Sequence, residues 1–270
     1  MKLIEDNGSV IEFEDIGEGS PIVFVHGSFS NASAWRPIWK HLPPKFHVLA
    51  PNLWACGGTS DWPSEGTPTI SLQAYLVQKV IDTIGQPVHL VGHSHGGIVA
   101  LATALSNPQT VRSLVLLDPL VANVLPLAGE SDAYDALRLF HAEYVEAYEA
   151  GMDEAGARVV DYWTGQGTFA ALPGRFRAHI AATTELNIKD WEANWAFQPD
   201  SEELGRLEVP SLLVWGAAGN PIAGVIGRSL ERLLGSARLM TLEGASHLMI
   251  ATHAKTIAEL VLTHAEAHSE

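Results

Sequence analysis

The stretch from Val88 to Leu105 constrains this chain most. An apolar run, Val88-His89-Leu90-Val91, leads into Gly92-His93-Ser94-His95-Gly96-Gly97 and then into the apolar segment Ile98–Leu105. That order reads as a buried strand, a sharp turn and a buried helix. Glycines on either side let such a turn close without Cβ clashes. A serine at its apex projects Oγ away from the backbone. The helix N-terminus just beyond offers free N–H groups and a positive dipole end to a developing anion. The turn therefore predicts Ser94 as a nucleophile.

Strand and helix alternate on both sides of this turn, which predicts βαβ units and a parallel sheet. Leu3 to Phe13 reads as a hairpin turning at Asp6-Asn7-Gly8. Pro21–Val25 is a continuous apolar strand ending at His26-Gly27-Ser28. Ser33–Leu42 reads as a helix, Phe46–Ala50 as a strand, and Pro51–Pro68 as a Gly- and Pro-rich loop. Ser71–Ile84 is an amphipathic helix expected to be capped by serine. Val111–Leu117 is another buried strand, ending at Asp118-Pro119. The rhythm then breaks, because Leu120 to Glu208 contains no convincing strand. Helical patterns fall instead at Asp132–Ala150, Asp153–Tyr162, Arg175–Leu186 and Lys189–Trp195. Alternation resumes with Ser211–Trp215, a helix near Val225–Leu234, a strand Ala237–Leu242 and a helix Lys255–Ala267. The expected division is a core of residues 1–118 and 210–270 with a helical cap at 119–209.

Bulk properties narrow the partners. The 270 residues are 47% apolar and 17% charged, as in a packed globular protein. Sixteen basic and 31 acidic residues give a formal charge of −15, which argues against nucleic acid and anionic membranes. No apolar segment is long enough to span a bilayer, and Met1–Asp6 lacks the apolar stretch of a signal peptide. The single cysteine, Cys56, allows no internal disulfide and predicts a cytoplasmic location. No Cys/His spacing resembles a metal site. A small-molecule substrate and a monomer or homodimer are expected.

A neutral serine needs a base within hydrogen-bond reach. The expected base is His247, in the loop Gly244-Ala245-Ser246-His247 after the last strand. From there it reaches across the sheet edge that carries Ser94. With these pieces in place, the chain resembles an α/β-hydrolase-fold enzyme over nearly its whole length. The resemblance rests on His26-Gly27 after the third strand, the Ser94 turn, the helical insertion after the sixth strand and the late loop histidine. It implies a mostly parallel eight-stranded sheet flanked by helices.

Most of that family carries its catalytic acid after the seventh strand, in a G-x-x-D string. Here the string reads Gly216-Ala217-Ala218-Gly219-Asn220-Pro221, and the aspartate is missing. A minority places the acid after the sixth strand, which here is Asp118. Asp118 is therefore the expected acid. The expected oxyanion donors are the N–H of His95 and that of Ser28, with Phe29 as the alternative. His26 is expected to brace its loop, and no catalytic role is expected for the side chains of His93 and His95. The insertion's aromatics are expected to be mostly core, with Trp163, Trp54 and Phe29 as candidate substrate contacts. Asp161-Tyr162-Trp163-Thr164-Gly165 also resembles a segment of capped α/β-hydrolases whose acid follows strand six.

These residues imply a cofactor-independent serine hydrolase of a small ester, thioester or lactone. An alternative comes from similarity to cofactor-independent dioxygenases of 3-hydroxy-4-oxoquinolines, carried by His93–Gly97, Pro51-Asn52, Asp118 and Trp163. There a His–Asp dyad, here His247 and Asp118, deprotonates an N-heteroaromatic substrate that then reacts with oxygen. Ser28 and Ser30 replace the aromatic and histidine side chains such enzymes present after the His-Gly turn. A non-catalytic receptor using the same pocket is the third reading.

Overall fold

A computed structural model describes residues 1–62, 68–152 and 154–269. The end of the predicted Pro51–Pro68 loop and Asp153, the first residue of a predicted helix, lie partly or wholly outside the described residues.

Eight strands form one sheet: β1 (Lys2–Asp6), β2 (Ser9–Ile16), β3 (Ser20–Val25), β4 (Phe46–Pro51), β5 (Val88–His93), β6 (Val111–Leu117), β7 (Ser211–Gly216) and β8 (Ala237–Leu242). Their spatial order is β1-β2-β4-β3-β5-β6-β7-β8. β1 and β2 pair antiparallel, as do β2 and β4; every pair from β4 through β8 is parallel. The hairpin turns where predicted, with Asn7 and Gly8 at φ 50° and 82°, the left-handed pair that a two-residue hairpin loop requires.

Strand alternation divides the core in two. Val23, Val25, Leu90, Leu114, Leu116 and Leu213 face one hydrophobic layer. Ile22, Phe24, Val91, Val115, Leu117, Leu212 and Val214 face the other. Both faces are thus covered, which is why these strands read as unbroken apolar runs. The helices are α1 (Arg36–Trp39), α2 (Ile70–Asp82), α3 (His95–Ser106), α4 (Val124–Leu127), α5 (Ser131–Glu149), α6 (Ala155–Thr164), α7 (Thr168–Ala171), α8 (Gly174–Ala182), α9 (Thr184–Ala196), α10 (Ser201–Gly205), α11 (Pro221–Leu233), α12 (Met249–Thr252) and α13 (Ala254–Ala267). α4 to α10 all fall between β6 and β7.

Local chemistry corrects three expectations. α2 is capped not by a serine but by Thr69, whose side chain accepts from Leu72 N. The single helix expected over Ser33–Leu42 is a 3₁₀ turn, Ala32–Trp35, followed by the short α1. Asn31 caps the turn by accepting from Ser33 N at 2.9 Å. The break expected between Leu186 and Lys189 falls earlier, at Thr183, where α8 ends and α9 begins.

Burial holds four imidazoles below their ordinary range: His26, His89 and His141 at about 4 and His93 at about 3. Each is neutral in the fold near pH 5, whereas an unfolded chain titrates near 6.5. The unfolded chain therefore binds more protons between those values. Stability from these groups is complete above pH 6.5 and is lost as pH falls towards 4. Urea unfolding from pH 7 to pH 4 is expected to show a declining midpoint. His93→Gln is expected to lower the slope of stability against pH by about one proton; an unchanged slope contradicts the assignment.

Candidate active site

The Ser94 turn is as sharp as its sequence implies. Ser94 has φ 54° and ψ −122°, strained for a residue with a Cβ. Three hydrogen bonds hold it there: Ser94 N to Leu117 O at 3.0 Å, Gly97 N to Ser94 O at 2.8 Å and Leu120 N to Ser94 O at 3.2 Å. The flanking glycines are needed because backbones meet at the turn. A Cβ on Gly96 would lie 2.2 Å from Val25 O, and one on Gly92 would lie 2.3 Å from Gly96 O.

β6 ends beside this turn. Asp118 is 3% exposed and has φ 41°, another left-handed residue. Its N–H donates to Val214 O at 2.8 Å. Its carboxylate is fixed at both oxygens: Oδ1 accepts from Gly216 N at 3.0 Å, and Oδ2 lies 3.1 Å from His247 Nδ1. Asp118 and His247 are 129 residues apart in sequence, and the sheet brings them together.

Two aromatic neighbours hold the His247 ring. Trp163 stacks on it with centroids 5.4 Å apart, and the His93 ring lies 4.8 Å away. His93 Nε2 also hydrogen-bonds His247 O at 2.9 Å. Burial keeps His93 neutral, so it supports the loop without adding charge beside His247. Trp163, a candidate substrate contact, thus packs against the histidine as well as against Trp191 at 6.4 Å.

The loop after β7 has a different task. Asn220 Oδ1 accepts from Ile222 N at 3.0 Å, capping α11, and Nδ2 donates to Tyr162 O at 3.0 Å. Both polar ends of the side chain are thus committed away from His247. Asn220→Ala is expected to cost about 1 kcal/mol of stability through the lost cap while leaving kcat within about twofold. Chemical unfolding and an ester assay check this pair of outcomes.

On the other side of Ser94, β3 ends in the His26 loop. His26 is 1% exposed; its Nδ1 bonds Gly27 O at 2.8 Å and its Nε2 accepts from Leu53 N at 3.1 Å. Both ring nitrogens brace loops, as expected. Asn52 also acts as a tie, accepting from Ala32 N and donating to Glu12. The N–H groups of Ser28 and His95 have no hydrogen-bond partner among the described residues. Phe29 has φ 56°, the backbone kink that turns the chain after Ser28. Phe29 and Trp54 line a cavity of about 80 Å³ whose wall also includes Gly27, Ser28 and His95. Cys56 lies on that wall too, with its thiol pushed up to about 12 by burial and by the charge of Asp190. It stays protonated and is no competing nucleophile.

The sequence reading missed Asp190. This aspartate on α9 is 7% exposed and accepts from Ser28 Oγ at 2.5 Å. A signal was present. Asn187, Asp190, Trp191 and Asn194 fall at i, i+3, i+4 and i+7, and all are buried, so polar residues share the helix's inner face. The insertion's other aromatics behave mostly as core. Phe140 stacks on Tyr162, and Trp191 packs on Trp195, whereas Phe176 is exposed.

A family profile described as "Alpha/beta hydrolase family" matches residues 22–260. The chain belongs to that family and is an enzyme of the α/β-hydrolase class. It is 26% identical over 264 residues to a 2-hydroxy-6-oxononadienedioate/2-hydroxy-6-oxononatrienedioate hydrolase of Klebsiella pneumoniae, covering 93% of this chain and 89% of that one. It is 25% identical over 267 residues to a pimeloyl-[acyl-carrier protein] methyl ester esterase of Aeromonas hydrophila, covering 93% and 97%. Among solved structures, MGS-M2, an α/β-hydrolase enzyme from a deep-sea metagenome library, superposes with a TM-score of 0.78 at 17% identity, covering 97% and 96%. That likeness establishes the shared fold. No helix among the described residues is long and apolar enough to cross a membrane.

Proposed function

We propose that the protein is a serine hydrolase that cleaves a small-molecule ester, thioester or lactone through Ser94, His247 and Asp118. One observation carries the reading: His247 Nδ1 lies 3.1 Å from Asp118 Oδ2, at the sheet edge where Ser94 is held in its strained turn. With Nδ1–H donating to the carboxylate, Nε2 is the nitrogen left to accept a proton. Nε2 takes the Ser94 hydroxyl proton as Oγ attacks the substrate carbonyl carbon. The oxyanion accepts from the N–H groups of His95 and Ser28. His247 then protonates the leaving alcohol or thiol as the acyl-enzyme forms; that group departs from an ester or thioester and stays on the acyl chain as a hydroxyl in a lactone. Water, deprotonated by His247, releases the acid and regenerates Ser94.

Support also comes from the relatives, whose names describe an ester-cleaving enzyme and hydrolases of an oxo-dienedioate over 93% of this chain. In this reading residues 119–209 form a cap over a core of 1–118 and 210–270. The single cysteine favours a cytoplasmic setting.

The test combines short-chain nitrophenyl esters with an oxygen electrode. Expected are stoichiometric nitrophenol and carboxylic acid, and no oxygen uptake with a 3-hydroxy-4-oxoquinoline. Oxygen uptake without ester turnover would replace this reading with a dioxygenase that uses the His247–Asp118 dyad as its base.

A further inference from the structure

A second group of buried polar side chains adjoins Ser94, and the proposed triad does not use it. His95 follows Ser94 in the chain and is 2% exposed, yet neither of its ring nitrogens has a hydrogen-bond partner among the described residues. Its Nε2 lies 3.4 Å from Asp190 Oδ1, outside good hydrogen-bond geometry. The other carboxylate oxygen of Asp190 holds the Ser28 hydroxyl at 2.5 Å. Burial raises the Asp190 carboxyl above its usual range, against the opposing pull of His95 and Ser28. All three residues line the small cavity, together with Phe29, Trp54 and Leu186. A buried nitrogen without a partner is costly unless something supplies one.

We propose that Asp190, His95 and Ser28 form a polar subsite that takes an uncharged hydroxyl at the end of a short substrate chain. The subsite rests on the serine-hydrolase reading, because the chain it holds belongs to the molecule attacked by Ser94.

The chemistry selects a hydroxyl. One hydroxyl oxygen both donates and accepts. It donates to the Asp190 carboxylate while accepting from an imidazole N–H. It equally accepts from a protonated Asp190 while donating to a bare ring nitrogen. It therefore suits the pair wherever the shared proton sits. A carboxylate cannot donate and meets an ionised Asp190 as a like charge. An ammonium has no acceptor for a ring N–H, so it suits only one of these two proton arrangements. A methyl group satisfies neither partner. Size selects a short chain: about 80 Å³ is roughly half of the ~150 Å³ cavity that takes a benzene ring. That leaves room for about three or four non-hydrogen atoms.

Calorimetric titration with 4-hydroxybutyramide, pentanamide and succinamate tests the subsite without relying on turnover. The first two differ only by a hydroxyl in place of a methyl, and the third presents a carboxylate. Wild type is expected to bind 4-hydroxybutyramide at least about tenfold more tightly than either analogue. Asp190→Asn and Ser28→Ala are expected to shrink that ratio. A smaller ratio in wild type, no binding of the hydroxyamide, or tighter binding of succinamate overturns the proposal. So does a ratio left unchanged in Asp190→Asn. The wild-type comparison stands even if a variant fails to fold. Fluorophosphonate labelling of Ser94, run in parallel, separates the two readings. Hydroxyl preference without labelling removes the hydrolase reading and keeps the subsite, and labelling without preference does the reverse.

Discussion

Asp118→Asn is expected to lower kcat for a short-chain ester about 10⁴-fold, with little change in KM. The reason lies in how the carboxylate is held. Gly216 N donates to Oδ1 at 3.0 Å, and it pins an oxygen at that position in the variant as well. The amide nitrogen of the new side chain must then face His247 Nδ1, 3.1 Å away in the wild type. An NH₂ group forces Nδ1 to accept, which places the imidazole proton on Nε2. That tautomer cannot take a proton from Ser94. The variant also loses the charge that stabilises the imidazolium. Asn220→Ala is the matched control, because its polar atoms serve α11 and Tyr162. Loss of activity in Asn220→Ala with retention in Asp118→Asn would remove Asp118 from the role of acid.

Ser94→Ala is expected to have the larger effect, about 10⁶-fold in kcat. Neither Cys56 nor Ser28 replaces the lost oxygen. The Cys56 thiol is held at about 12, and the Ser28 hydroxyl is engaged by Asp190 at 2.5 Å. In the proposed mechanism the residual rate measures what the His95 and Ser28 N–H groups and binding provide alone. The substitution relieves no backbone strain, since alanine also carries a Cβ at φ 54°. The fold is therefore expected to stay intact, and circular dichroism and thermal unfolding check that. Retention of most activity in Ser94→Ala would favour chemistry driven by His247 and Asp118 without a covalent step.

Local signals carried most of the architecture. The Ser94 turn was legible because strand, glycines and helix are adjacent in the chain. Asp6-Asn7-Gly8 was legible for the same reason, because left-handed turn positions select those residue types. The cap of α2 was misassigned because Thr69 and Ser71 are both good caps, and only the backbone decides between them. The helix expected over Ser33–Leu42 is interrupted because Asn31 starts a 3₁₀ turn that ends where α1 begins, with a proline in its first turn.

The site was partly legible. Resemblance to relatives with the acid after strand six pointed to Asp118, and the structure brings that residue to His247. The polar spacing Asn187, Asp190, Asn194 was legible, but the pairing of Asp190 with Ser28 was not. Ser28 lies 162 positions away from Asp190, and no local pattern sets how α9 lies on that loop. Trp163 was expected as a substrate contact, and its burial and its stacking on His247 depend on the same long-range packing. Gly219 records that packing from the other side, since a Cβ there would lie 2.9 Å from Trp163 O and 3.3 Å from His247 N.

Intact-mass analysis of wild type and Ser94→Ala after treatment with a fluorophosphonate tests the central claim most directly. The triad reading predicts rapid addition of one adduct to wild type, mapped to Ser94, and none to the variant. No adduct on wild type, or an adduct that persists in Ser94→Ala, would contradict an activated serine at this site.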